Sequence, residues 1–127
     1  MISVNVKKGD DVYIEVNGKK LANVQSYKVT ESNKQIYIES FLEFEPVEVI
    51  PGKREYKIEV SKVCLNEESL NDKIDFHSIS NFDLVINKSK TKVKYSGCEW
   101  TQISESGDLG KSAIEKAEIL AVRRMEL

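Results

Sequence analysis

Apolar and polar residues alternate through most of the chain, the period of a half-buried strand and not of a helix. In "DVYIEVNGKK", Val12, Ile14 and Val16 fall on one face and Tyr13 and Glu15 on the other, and Asn17-Gly18 supplies a two-residue hairpin turn. A return strand is expected from Leu21 to Thr30, with Gln25, Tyr27 and Val29 on one face. The polar "ESNK" predicts another reversal, followed by a third extended run in "QIYIESFLEF". Pro46 and Pro51 break the pattern, so residues 45–54 are expected to be a loop or an irregular edge hairpin. Alternation resumes at Tyr56, Ile58 and Val60.

"NEESLNDKI" is the clearest helical stretch. Asn66 can cap it, Glu67 and Glu68 suit its positive end, and Leu70 and Ile74 stand one turn apart. Phe82, Leu84 and Ile86 then share a strand face, and Thr91, Val93 and Tyr95 share another after a polar turn. Gly97 marks a bulge or bend. Beyond it, period two puts Cys98 beside Trp100 and sends Glu99 to the opposite side. The closing "SAIEKAEILAVRRMEL" carries two signals. A Ser112-x-x-Glu115 capping box and high propensity point to a helix, while Ile119, Ala121, Arg123 and Met125 alternate with Leu120, Val122 and Arg124 as in a strand. About seven strands and one short helix predict a mainly β protein, an antiparallel β-sandwich or barrel.

The 127 residues suit a single domain, 1–127, with 40% apolar and 31% charged residues. A formal charge of −2 gives no overall attraction for phosphate or acidic membranes. No apolar run approaches the ~20 residues of a membrane helix, and "MISVNVKKGDD" lacks the order of a signal peptide, so no membrane anchor and a cytosolic origin are expected.

Candidate chemistry is sparse. Cys64 and Cys98 form no C-x-x-C pair, and with His77 they lack the spacing of a zinc site. Both thiols are expected to be small buried side chains and His77 a surface residue. There is no nucleophile elbow, zincin helix, Walker loop or dinucleotide fingerprint, and nothing marks either thiol as activated. No catalytic residue, metal or cofactor is therefore assigned. Glu39, Glu43, Glu45 and Glu48 suggest an acidic solvated loop or one that docks on a basic neighbour. Lys88, Lys90, Lys92 and Lys94 fall at every second position. In the extended part this puts Lys92 and Lys94 on one face, where they can meet phosphate or a carboxylate row on another subunit, or simply guard an exposed strand against mispairing.

The succession "VYIEVNGKKLANVQSYKVT", a loop, "PGKREYKIEVSKV", a short helix, "VKYSGCEWTQIS" and "AEILAVRRM" resembles the tail tube proteins of contractile phages. It is most similar to the core tail proteins of PBSX-type defective prophages and of phage-tail-like bacteriocins. The resemblance implies a small antiparallel sandwich or barrel with a flanking helix, hexameric rings stacked into a tube, and a closing strand over residues 115–126. Implied partners are sister copies, the tail sheath, the tape-measure and baseplate proteins, with DNA only as passing cargo in a true phage. The implied location is a virion tail or phage-tail-like particle assembled in the bacterial cytoplasm. By the same analogy the loop at residues 41–54 becomes a candidate inter-ring contact through Glu43, Glu45, Glu48, Lys53 and Arg54. The chain is short for a tube subunit, so a tube initiator or another tail component of the same fold is an alternative. From a different class, a small-ligand-binding β-barrel would line its pocket with Trp100 and Tyr95.

Overall fold

A computed structural model describes the backbone of residues 3–5, 10–39, 46–105 and 113–127, with side chains at 10–33, 54–105 and 113–127. Its strands are β1 (Ser3–Asn5), β2 (Asp11–Val16), β3 (Lys19–Glu39), β4 (Pro46–Leu65), β5 (Phe82–Asn87), β6 (Lys92–Ser104), β7 (Ala113–Ala121) and β8 (Arg123–Glu126), with one short helix, α1 (Glu67–Asn71). All pairings are antiparallel. The mainly β architecture anticipated from the alternation is therefore present.

The sheet closes on itself. Following hydrogen bonds from β2 through β5, β6, β7 and β4 leads to β3, which pairs back to β2, giving a barrel. β1 extends the sheet beside β3, and β8 extends it beside β6. Ile14, Ile58, Phe82, Leu84, Ile114 and Ile119 are fully buried and fill the interior. Closure removes the free edges that an open sheet of this length would present.

The Asn17-Gly18 hairpin forms as expected, with positive φ at both residues, and Val16 pairs Lys19. The expected reversal at "ESNK" does not. Residues 31–34 continue β3, and the polar stretch marks a register shift between Asn33 and Gln35. A bulge satisfies the same local preferences as a turn without reversing the chain. Nor do Gln25, Tyr27 and Val29 share one face, because Gln25 is exposed and Tyr27 buried. The inward row switches from Ala22 and Val24 to Tyr27 in β3, and from Val63 to Val60 in β4 across Lys62 at φ 52°. In β7 it switches from Ile114 to Ala117. Three adjacent strands change faces at one level, which bends the sheet toward closure.

Of the two alternatives for residues 45–54, the described residues 46–54 take the irregular edge hairpin and not the loop: they are strand, paired with β3 across two register shifts. Pro46 and Pro51 are accommodated because this half of β4 pairs only with β3, so its other edge needs no N–H donor. At α1, the Asn66 side chain accepts a hydrogen bond from Ser69 N at 2.8 Å and donates to Lys20 O at 2.6 Å, fastening the helix to β3. The expected Leu70–Ile74 face is absent, since the helix ends at Asn71 and Leu70 is 45% exposed. Ser69 faces inward instead. The C-terminal segment is extended, as the resemblance implies, and is interrupted only at Val122.

Candidate functional site

The run Cys98-Glu99-Trp100 resolves into separate environments. Cys98 is fully buried, its thiol donating to Tyr95 O at 3.3 Å, and burial pushes its pKa up to about 12. Such a thiol stays protonated and is a core side chain. Glu99 points outward and accepts from Asn81 N at 2.9 Å. Trp100 packs its ring on Phe82 at 4.8 Å between centroids and edge-on to Phe76 at 6.3 Å. Tyr95 packs edge-on to Tyr56 at 5.5 Å. The two aromatics proposed to line a ligand pocket thus hold the core together.

Cys64, expected to be buried, is exposed on β4. His77 is at the surface as expected, 2.9 Å from Glu105 Oε1. Among the described residues no three His, Cys, Asp or Glu side chains gather as metal ligands.

The distinctive feature is an arm. β4 pairs with β7 only from Tyr56 to Cys64, and β3 meets β2 and β1 only up to Lys28. Beyond these limits Ser32–Glu39 and Pro46–Glu55 pair, among the described residues, with each other alone. At ~3.3 Å per residue the eight residues of β3 from Ser32 to Glu39 reach roughly 26 Å beyond the barrel. A two-stranded ribbon in water is marginal by itself, and each of its outer edges carries unpaired backbone groups. Register places Ile36 opposite Ile50 and Tyr37 opposite Val49.

Of the interface candidates, Glu43 and Glu45 lie outside the described residues. Glu48 and Lys53 lie in the arm's β4 strand, with Glu48 opposite Ile38. Arg54 stands at the arm's root and pairs with Glu31 across the ribbon at 3.5 Å. The Arg124 guanidinium donates to the Tyr95 hydroxyl; burial, the largest influence, raises Tyr95 above the ordinary tyrosine value against the opposing pull of Arg124. This Tyr56–Tyr95–Arg124 buttress was not anticipated, because no sequence signal links β8 to the start of β4.

The four alternating lysines also separate. Lys94 lies between Glu15 at 3.5 Å and Asp83 at 3.4 Å. Desolvation is the largest single influence on it and lowers its pKa, but Asp83 and Glu15 together outweigh that and leave it raised. Lys88 and Lys90 are exposed on the turn closed by Lys88 N donating to Thr91 O, and Lys92 begins β6.

No helix among the described residues is long and apolar enough to cross a membrane. No family model matches the sequence, and neither does any curated protein.

Proposed function

We propose that this chain is a structural subunit of a phage or phage-tail-like contractile tail, forming hexameric rings that stack into the inner tube. The observation that carries the proposal is the arm, a long ribbon with no third strand among the described residues. Such a ribbon is stabilised when a sister copy covers it, and a rotationally repeated contact of this kind closes into rings or continues as a filament.

Two further edges support the reading. β1 lies end to end with β2 along one edge of β3, and β8 continues β7 along β6 in the same register, half the barrel circumference apart. Tracing the antiparallel pairings makes β1 and β8 run in opposite directions. In copies standing side by side in one orientation, β8 of one therefore meets β1 of the next antiparallel, the geometry that extends a sheet. A tube-initiator role uses the same surfaces and differs in stopping after one ring. Sheath, tape-measure and baseplate contacts belong to the same proposal.

Negative-stain electron microscopy of concentrated protein tests it. Rings or tubes are expected, and Lys53→Glu with Arg54→Glu should abolish them while the far-ultraviolet circular dichroism stays that of the folded barrel. Tubes formed equally well by the double variant would remove the arm root from the contact.

A further inference from the structure

Among the described residues five large apolar side chains stand more than a third exposed: Leu70, Leu120, Val122, Met125 and Leu127. All but Leu70 fall between residues 120 and 127, and register puts them on one line. Ile119 and Ala121 are buried, which turns Leu120 outward beside the exposed Lys57 and Glu99. Val122, 66% exposed, lies against Gly97 where the chain passes from β7 to β8. Arg124 is opposite Tyr95 and turns inward to its hydroxyl, so Met125 faces outward beside Lys94. Leu127, 67% exposed, continues the row, its N–H donating to Lys92 O at 2.7 Å. At ~3.3 Å per residue the line from Leu120 to Leu127 is roughly 23 Å long. Outward positions on neighbouring strands are of another kind: Lys57, Glu59 and Ser61 on β4, and Asp11, Tyr13, Glu15, Asp83 and Asn87 on β2 and β5. The apolar exception there, Val85, is covered, at 1% exposure, between its cross-strand neighbours Tyr13 and Lys94.

The same strand also offers its backbone. β8 pairs with β6 on one side and, among the described residues, with no strand on the other. Charge or cover ordinarily guards such an edge. Here Arg124 is turned to Tyr95 and lies 3.9 Å from Glu126, which leaves Arg123 as the outward charge of β8. An exposed apolar line along an unpaired edge is a surface that an added strand covers. Direction and position say which strand. β1 carries an unpaired edge of its own, runs opposite to β8 and stands half the barrel circumference away, so the two meet between copies and not within one. The line also starts at the row Tyr56–Ala121, the last at which β7 holds β4. From that row β4 leaves for the arm, and a copy that covers the arm's β4 edge stands over the line.

We infer that Leu120, Val122, Met125 and Leu127 are the apolar anchor of the contact between copies, seated against the β1 edge of a second copy standing alongside in the same orientation. The contact rests on the assembly reading above and deepens it, naming the side chains that supply its burial while backbone pairing of β8 with β1 sets its register. Because the anchor is apolar, association persists as salt rises and strengthens in sulfate.

Isotope-mixed photo-cross-linking of the full chain tests this. Met125→p-benzoylphenylalanine protein of natural abundance is allowed to associate with an equal amount of the nitrogen-15 parent, illuminated, and digested for mass spectrometry. Mixed-isotope peptides joining position 125 to residues 3–5 or 26–28 are expected. In parallel, Val122→Ser, Met125→Ser and Leu127→Ser together should weaken association roughly tenfold or more by light scattering and leave the melting temperature of the monomer unchanged. Mixed-isotope cross-links that fall elsewhere, a triple variant that assembles like the parent, or one whose monomer melts well below the parent would overturn this contact and leave the assembly reading standing. A chain that stays monomeric at every concentration and yields no mixed-isotope peptides would overturn both.

Discussion

One strand, β4, passes through two physical environments. From Tyr56 to Cys64 it has β3 on one side and β7 on the other, and with Leu65 it sends Tyr56, Ile58, Val60 and Val63 into a filled interior. From Pro46 to Glu55 it has β3 alone. The first half gains its stability from burial and the second can gain little that way, because a two-stranded ribbon has no interior. The barrel thus carries its own core, whereas the arm, under the proposed function, is completed by a sister copy.

That contrast is sharpest where the core is attacked. Phe82→Ala removes a fully buried ring that also supports Trp100, and should cost about 3–5 kcal/mol in denaturant unfolding, enough to unfold a domain of ordinary stability. If the loss were under 1 kcal/mol, the barrel interior would not be the source of stability. Alkaline titration probes the same interior more gently. The buried Cys98 thiol has a pKa raised to about 12 from 9.0, so the native state holds its proton more tightly than the unfolded state. Its contribution is complete below pH 9 and is lost as pH rises from 9 toward 12, up to about 4 kcal/mol for a three-unit shift. The parent should therefore lose stability over that window faster than Cys98→Ala, and parallel curves would contradict the burial of the thiol.

A smaller effect is expected at Gly97. Its φ of +66° disfavours other residues, and a Cβ there would collide with Val122 Cγ2 at the break between β7 and β8. Gly97→Ala should cost about 1–2 kcal/mol, partly recovered by Val122→Ala, as read by thermal melts of the single and double variants. Equal melting temperatures for all three proteins would show that the close approach carries no strain.

Much of the barrel was legible because period two reports a face, and the face reports burial. Val12, Ile14, Phe82, Leu84, Cys98 and the split of Glu99 from Trp100 all follow from it. The Asn66 cap and the Gly97 bulge were legible because each rests on local chemistry. What escaped depends on partners distant in sequence. "ESNK" reads as a turn until one knows that β4 lies opposite to absorb the irregularity, and Pro46 and Pro51 leave loop and edge hairpin open until the pairing of β4 with β3 alone decides for the hairpin. The inward row switches at Tyr27 because β4 and β7 bend with β3, which no single segment reveals. The acidic residues were visible as charge, whereas the place of Glu39 and Glu48 on a ribbon is a property of topology alone.

The most direct test removes the arm and keeps the barrel. Asn33 and Arg54 are cross-strand partners, so replacing residues 34–53 by Asn-Gly joins them through a two-residue hairpin turn. Light scattering and negative-stain microscopy of this variant beside the parent, at equal concentration, should show a barrel of unchanged melting temperature that remains monomeric while the parent forms rings or tubes. Rings or tubes from the shortened chain would contradict the claim that the arm is completed in trans.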